Sequence, residues 1–512
     1  MRSGLFSGFL ALVTAVGAAA QTSGGPQYTL QTGTRIVLTD VTVLDAQGNP
    51  VHGLKQSDFS IYDDGKPQGV ASFEEHMGQS QPILQEASER PGIYSNAAMK
   101  HLPAVMNVWL LDTTTISLVE QMFLMHELTD LINALPAEEP VAIYWRAGIA
   151  VNLLQNFTSD HGLLLAAIHQ AMPRMVNQDA QDTTDIDTLE QMIAALSQLP
   201  GRKNMLWFSG GSSAALLHNP DEAPPGLNLR PVYDGMQRDR IAVYPIDVRG
   251  LMWENGMTYR QQHLMMQATA DATGGQAFYN DSGLVEGVSR FISTDGSYYT
   301  VTYRPDDLHN SHKWHKVEVK VAGNYHLSYR EGYFDDDANQ EPQLYAQAKK
   351  PVLADGKPAE LPNTQLEPIL FEARVIAARE LPDDVAAAMR EGKDVTRAAG
   401  HGRTEYLIRY FVPPSAFQQS VTNGQGQVMV GTAILAVNDF GRPVGHGLQV
   451  YKLNFDPKQV ATQPNGKLTV DQVIALPHGH NFVYLAVWDT ATGRLGTIQL
   501  PLTVEKAQKA SK

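Results

Sequence analysis

Cysteine is absent from all 512 residues, which excludes disulfides, thiolate metal sites, a lipidated N-terminal cysteine and thiol catalysis. Such a chain must be held together by core burial. Clustered basic residues are missing too. With 54 acidic against 39 basic side chains, the formal net charge of -15 makes nucleic acid a poor partner. Beyond the N-terminus no segment approaches the ~18–20 apolar residues that span a bilayer, so no transmembrane segment is expected in the mature chain. Familiar catalytic signatures are also lacking: there is no Gly-x-Ser-x-Gly elbow, His-Glu-x-x-His helix or Gly-Lys-Ser phosphate loop. What is present is an ordinary folded composition, 43% hydrophobic and 18% charged, in a length suited to roughly three or four domains.

Arg2 precedes a nearly uncharged apolar run, Leu5 to Val16, and then Ala18-Ala19-Ala20. This is the charged start, apolar centre and small-residue cleavage site of a secretory signal peptide, residues 1–20. The expectation is an exported protein, periplasmic, at the cell surface or extracellular. Residues 27–76 alternate apolar and polar (Ile36, Leu38, Val41, Val43), with turn signals at Gln47-Gly48-Asn49-Pro50 and Asp63-Asp64-Gly65, predicting a small β domain. Residues 77–100, with Pro82 and Pro91, read as an irregular connector.

Between 102 and 295 the pattern changes to short apolar runs alternating with helical spacing, as in Met122, Met125, Leu128, Leu131 and Ile132. Strand-helix alternation implies an α/β domain with a largely parallel sheet, whose ligands sit beyond the C-terminal strand ends. Residues 296–335 return to alternating β as an extension. From 366 to 505, strands recur between Asn-Gly, Asp-Phe-Gly and Thr-Gly turns, predicting a C-terminal β-sandwich.

The stretch VWLLDTTTIS, residues 108–117, drives one carboxylate, Asp112, out of a buried strand into a cluster of hydroxyls. Oxygens so grouped suit a hard cation, Mg²⁺ or Ca²⁺. The order of elements around it resembles the von Willebrand factor A domain. More narrowly, the chain resembles the VWFA-related domain proteins of acidobacteria. That likeness is carried by TDVTVLDAQGNPVHGLKQSDFSIYDDGKPQ, LLQNFTSDHGLLLAAI, GRKNMLWFSGGSS, ATADATGGQAFYND and YREGYF, over about residues 27–335. The resemblance implies a Rossmann-like α/β A domain flanked by small β domains, with an Asp-x-Ser-x-Ser adhesion site at the strand ends. By the same likeness Asp112 is the first metal ligand, Thr114 replaces the first Ser, and Thr183 or Thr184 supplies the distant Thr, with Ser209 lining the crevice. Two positions depart from the pattern. The second Ser falls on Ile116, and Ser209-Gly210-Gly211 stands where Thr-Asp-Gly is usual, so the second carboxylate is missing unless Asp185 or Asp187 supplies it.

Other candidates are weaker. His309, His312 and His315 recur every three residues, in what reads as a hairpin loop. His478 and His480 flank Gly479, Asp335-Asp336-Asp337 starts like a Ca²⁺ loop without its later ligands, and Glu138-Glu139 reads as a solvated pair. Ser209-Gly210-Gly211-Ser212-Ser213 could hold a nucleophile, but a Gly-rich turn describes it more simply. The expected function is an exported, non-enzymatic, adhesion-type protein that binds a protein or surface polymer at the strand-end crevice. The alternatives are a structural envelope component with a vestigial site and an exported hydrolase.

Overall fold

The computed structural model describes residues 36–77, 92–96, 105–147, 150–171, 185–197, 199–211, 228–249, 257–279, 297–305, 313–334, 369–381, 402–422, 425–438, 442–456, 466–492 and 494–505, with short pieces between them. The expected signal peptide lies outside the described residues.

Four strands come first: β1 (Val37–Leu44), β2 (Phe59–Asp63), β3 (Lys66–Gln68) and β4 (Val70–His76). In β1 and β2 the alternation seen in the sequence buries Val37, Val41, Val43, Phe59 and Ile61. The stretch expected to be an irregular connector contains a short strand, β5 (Ile93–Ser95).

The α/β part is built on β6 (Val105–Asp112), buried along its whole length. Its side chains alternate between faces, so Met106, Val108 and Leu110 enter one core while Trp109 and Leu111 enter the other. It lies between β7 (Val141–Ala147) and β9 (Arg202–Ser209), parallel to both. β10 (Ile241–Asp247) adds in parallel to β9, and β8 (Ala150–Thr158) closes the opposite edge, antiparallel to β7. The chain thus builds outward from β6 first to one side and then to the other. β6 and β9 flank the point where strand order reverses, the usual crevice of an open α/β sheet.

Helices α1 (Leu118–Ala134) and α2 (His161–Ala171) cover one face through Leu124, Leu128, Leu131, Leu164 and Ile168. Helices α3 (Asp185–Leu196) and α4 (Arg230–Arg238) cover the other through Leu189, Met192, Val232 and Met236. α4 escapes a reading by pattern because its nine residues, RPVYDGMQR, include a proline and a glycine. α5 (Met257–Thr273) packs beside β10. Ser117 caps α1 in a reciprocal box with Glu120: the Glu120 amide donates to Ser117 Oγ (3.3 Å) and the Ser117 amide to Glu120 Oε2 (2.6 Å). Asp160 caps α2, accepting from the amides of Gly162 (2.8 Å) and Leu163 (3.2 Å).

The next strands are β11 (Tyr298–Tyr303), β12 (Trp314–Val321), β13 (His326–Tyr329) and β14 (Gly332–Phe334). They pair with the first strands instead of forming a module of their own. The sheets β13-β1-β11-β4 and β14-β12-β2-β3 enclose one core of Val41, Phe59, Ile61, Val301 and Val319. The α/β segment is inserted between the two halves of this β unit, which hides their pairing from a linear reading.

The remaining strands are β15 (Glu372–Ala377), β16 (Arg403–Val412), β17 (Ser420–Thr422), β18 (Gln425–Asn438), β19 (Pro443–Phe455), β20 (Leu468–Pro477), β21 (Gly479–Asp489) and β22 (Leu495–Val504). Two antiparallel sheets, β20-β16-β15-β5 and β17-β18-β21-β22 with β19 on β18, share a core including Ile408, Tyr410, Val430, Ile474 and Val487. β5 is an edge strand here, fixed by Asn96, which exchanges hydrogen bonds with Ile369 O (2.9 Å) and Phe371 N (2.8 Å). Val437 and Phe482 leave this core and join the one formed by α1, α2 and Trp109. The described chain is therefore mostly strand, and its one mainly parallel sheet is the part that carries helices. No helix among the described residues is long and apolar enough to cross a membrane.

Candidate functional site

Asp112 is the last residue of β6, on the face that α3 covers. Its Oδ1 accepts from the Thr114 amide (3.0 Å) and the Thr114 hydroxyl (2.5 Å), a local turn that any strand-end Asp followed by hydroxyls can form. Its Oδ2 accepts from Arg146 Nη1 (2.8 Å) and Trp207 Nε1 (3.3 Å). Arg146 stands opposite Asp112 on β7, and Trp207 lies in the register of Leu110 on β9, so the parallel strands themselves deliver both donors. The same Nη1 also contacts Asp185 Oδ1 at 3.0 Å, in the first turn of α3.

One guanidinium thus lies between two carboxylates, and all three groups are buried: Asp112 is 0% exposed, Asp185 3% and Arg146 4%. Burial alone would lower the Arg146 pKa, but the charges of Asp112 and Asp185 outweigh it and raise it above its ordinary value. Arg146 is therefore a fixed cation held between two carboxylates. Around it, Trp145 Nε1 donates to Thr113 Oγ1 (2.9 Å), whose hydroxyl donates to Arg146 O (3.2 Å).

The neighbouring strand ends carry a second charged group. Asp247 ends β10, and its two oxygens accept from Arg249 Nε (2.8 Å) and Nη2 (2.7 Å), with His263 Nε2 at 2.9 Å. Burial would raise the Asp247 carboxyl, yet the hydrogen bonds from Arg249 and His263 carry it below the usual range. Arg249 also lies over the Tyr259 ring and donates to Gln262 (2.9 Å), while His263 stacks on Tyr279 at 4.4 Å.

The residues picked from sequence divide clearly. Asp112 and Thr114 meet, but the carboxylate does not line a crevice mouth as expected; it is sealed beneath packed side chains. Thr183 and Thr184 lie outside the described residues. Ser209 ends β9, is buried, and its carbonyl accepts from Val248 N (3.0 Å). Ile116 is core. At Gly210, where the resemblance would place a second carboxylate, a Cβ would sit 2.5 Å from Thr115 O. The Gly210 amide donates to Thr115 Oγ1 (2.9 Å), closing the two strand-end loops on each other. Trp145 and Trp207 are core and also donate their indole N–H groups to Thr113 Oγ1 and Asp112 Oδ2.

Arg146, Asp247, Arg249 and His263 were missed. Arg146 leaves a faint signal, a charge closing an otherwise apolar strand, YWRA. Among the lesser candidates, Glu139 is buried and accepts from Asn107 Nδ2 (2.6 Å), so it is not half of a solvated pair. His478 and His480 contact Glu505 O and Thr503 Oγ1, at 2.9 Å each. His315 lies on β12, not in a loop, while His309, His312 and Asp335-Asp336-Asp337 lie outside the described residues.

Following the loop after Asp112, the first turns of α1 expose Leu118, Val119, Met122 and Phe123. Large apolar side chains grouped on one exposed helix face are uncommon without a partner.

No protein-family model and no curated protein sequence matches the chain. Among solved structures, the PilB minor pilin of Streptococcus sanguinis is similar at 13% identity and TM-score 0.25, over 38% of this chain and 60% of that one. A von Willebrand factor type A protein from Catenulispora acidiphila is similar at 10% identity and TM-score 0.26, over 53% of this chain and 71% of that one. The vWF domain of the type V pili tip protein Mfa5 from Porphyromonas gingivalis is similar at 9% identity and TM-score 0.26, over 37% of this chain and 95% of that one. Solved von Willebrand factor A domains are thus among the structures that part of this chain resembles.

Proposed function

We propose that this chain is an exported, non-enzymatic binding protein of the VWFA-related, acidobacterial type, with an adhesion site that works without a metal. One observation carries the reading: the Arg146 guanidinium lies between Asp112 and Asp185, where a divalent cation would need those oxygens. An adhesion-site cation normally takes one ligand from the partner. A buried guanidinium bonded to both carboxylates through Nη1 holds the strand ends in place. Recognition then falls to the exposed apolar first turns of α1, and its partner is a protein surface. Such composition, Met and an aromatic together, suits the centre of a protein interface. A structural envelope component is the second reading, favoured by the complete burial of Asp112.

The test is capture of native envelope proteins by wild type and by Val119→Asp/Met122→Asp, each with and without EDTA. The proposal expects the same partner with or without EDTA, and its loss in the variant. Loss on chelation would overturn the metal-free mechanism, and unchanged capture by the variant would overturn the α1 surface.

A further inference from the structure

The two-sheet β unit holds a cluster of potential metal ligands that the strand-end site does not use. Asp63 ends β2, Asp64 begins the turn after it, and His315 comes from β12, whose Val317 pairs with Asp63. One ligand atom from each lies within 4.8 Å of the others. His315 Nδ1 is 3.3 Å from Asp63 Oδ1 and 3.0 Å from Asp64 Oδ2.

We propose that Asp63, Asp64 and His315 form a zinc site with one position left open. Bonds of about 2.0–2.1 Å at tetrahedral angles separate neighbouring donors by about 3.3 Å, close to both distances from His315 Nδ1 to the carboxylates. One nitrogen and two carboxylate oxygens form a donor set that zinc accepts, and the paired negative charges favour a dication.

The surrounding groups orient each ligand. The hydroxyls of Tyr303 (3.0 Å) and Tyr333 (2.7 Å) both donate to Asp63 Oδ2, leaving Oδ1 for the shared centre. The Lys316 amide donates to Asp64 Oδ1 (2.9 Å), leaving Oδ2 for the same point. The His315 ring stacks on Tyr333 with centroids 5.2 Å apart and planes 12° apart, which fixes its direction. Outer contacts of this kind set ligand direction in metal sites. Asp63 is nearly buried, whereas the Asp64 side chain is 50% exposed, so the centre can be reached from solvent.

Zinc would tie the end of β2 to β12, joining the two halves of the unit that the α/β segment separates in sequence. The experiment is calorimetry and thermal melting of chelator-stripped full-length protein with ZnCl₂, beside MgCl₂ and CaCl₂ controls. The variants are His315→Gln and Asp64→Asn, because Asp64 is exposed and its φ of 47° suits Asn. The expected result is one zinc per chain, a melting temperature raised by zinc alone, and affinity weakened tenfold or more in each variant. Circular dichroism of the metal-free variants confirms that they fold. The site shares no residue with the strand-end cluster, so failure here is separable from failure of the strand-end reading. No binding heat in wild type, or equal binding in both ligand variants, would overturn the site.

Discussion

Replacing Arg146 by Met removes the positive charge between two carboxylates that water cannot reach. The Asp112 and Asp185 side chains are 0% and 4% exposed, and Arg146 reaches them at 2.8 and 3.0 Å. Burial this complete means solvent screening does not soften the loss. Breaking one partner out of a buried ion pair costs about 3–5 kcal/mol, chiefly because the remaining charge is left without compensation. Asp112 keeps its bonds from Thr114 and Trp207, whereas Asp185 loses a charged partner, so the middle of that range is expected. Urea unfolding followed by tryptophan fluorescence measures it, since Trp145 and Trp207 both touch the site. Two further results separate charge from shape. The triple variant Arg146→Met/Asp112→Asn/Asp185→Asn should recover most of the loss, because no uncompensated charge remains. Adding Mn²⁺ or Mg²⁺ should stabilise Arg146→Met and leave wild type unchanged, because the vacated position offers two carboxylates and the Thr114 hydroxyl to a hard cation. A loss below about 1 kcal/mol, or a triple variant no better than the single, would refute the view that the guanidinium balances both acids.

Three other perturbations have defined outcomes. Ser117→Ala removes the side-chain half of the α1 cap and should cost about 1 kcal/mol by urea unfolding, with Ser117→Asp close to wild type. Gly210→Asp supplies the carboxylate missing from the adhesion pattern, but its Cβ would meet Thr115 O at 2.5 Å. It should destabilise the fold by about 1–3 kcal/mol and bring no cation binding in calorimetry. Burial lowers the Lys203 ammonium from its ordinary 10.5 to about 8, where it donates to the carbonyls of Leu199 and Gly201. Between those values the unfolded chain holds more protons than the folded one, so this group makes stability rise with pH, by up to about 1.4 kcal/mol per unit. Urea midpoints from about pH 8 to 9.5 should climb less in Lys203→Met than in wild type.

The α/β part was largely legible because its signals are local. Buried strands show as apolar runs, α1 and α2 as helical spacing, and the cap at Asp160 as an Asp before an apolar helix. The pairing of β1 with β11 and β13, and of β2 with β12, was not legible. Alternation says which residues of β1 face a core but not which strand completes it, and here the partner lies beyond an inserted α/β segment. β5 was hidden for a related reason: three residues between prolines carry no period, and only the bonds from Asn96 to Ile369 and Phe371 fix them as strand.

The same limit governs both charged sites. Asp112 stands out in sequence because a carboxylate follows an apolar run and precedes three threonines. Arg146 does not, because its meaning depends on the register of two parallel strands joined by a helix. No short turn fixes such a register, and a slip of one residue would carry Arg146 to the opposite face. His315 reads from its own stretch as a loop histidine, while Asp63 and Asp64 read only as a turn. In each case the chain supplies half of an electrostatic pair locally, and the fold brings in the other half. A lone buried carboxylate would cost more than a marginally stable fold can spare, so the burial of Asp112 requires donors or a cation beside it. The sequence pointed to a metal from solvent for that place, and the fold fills it with an arginine from the next strand.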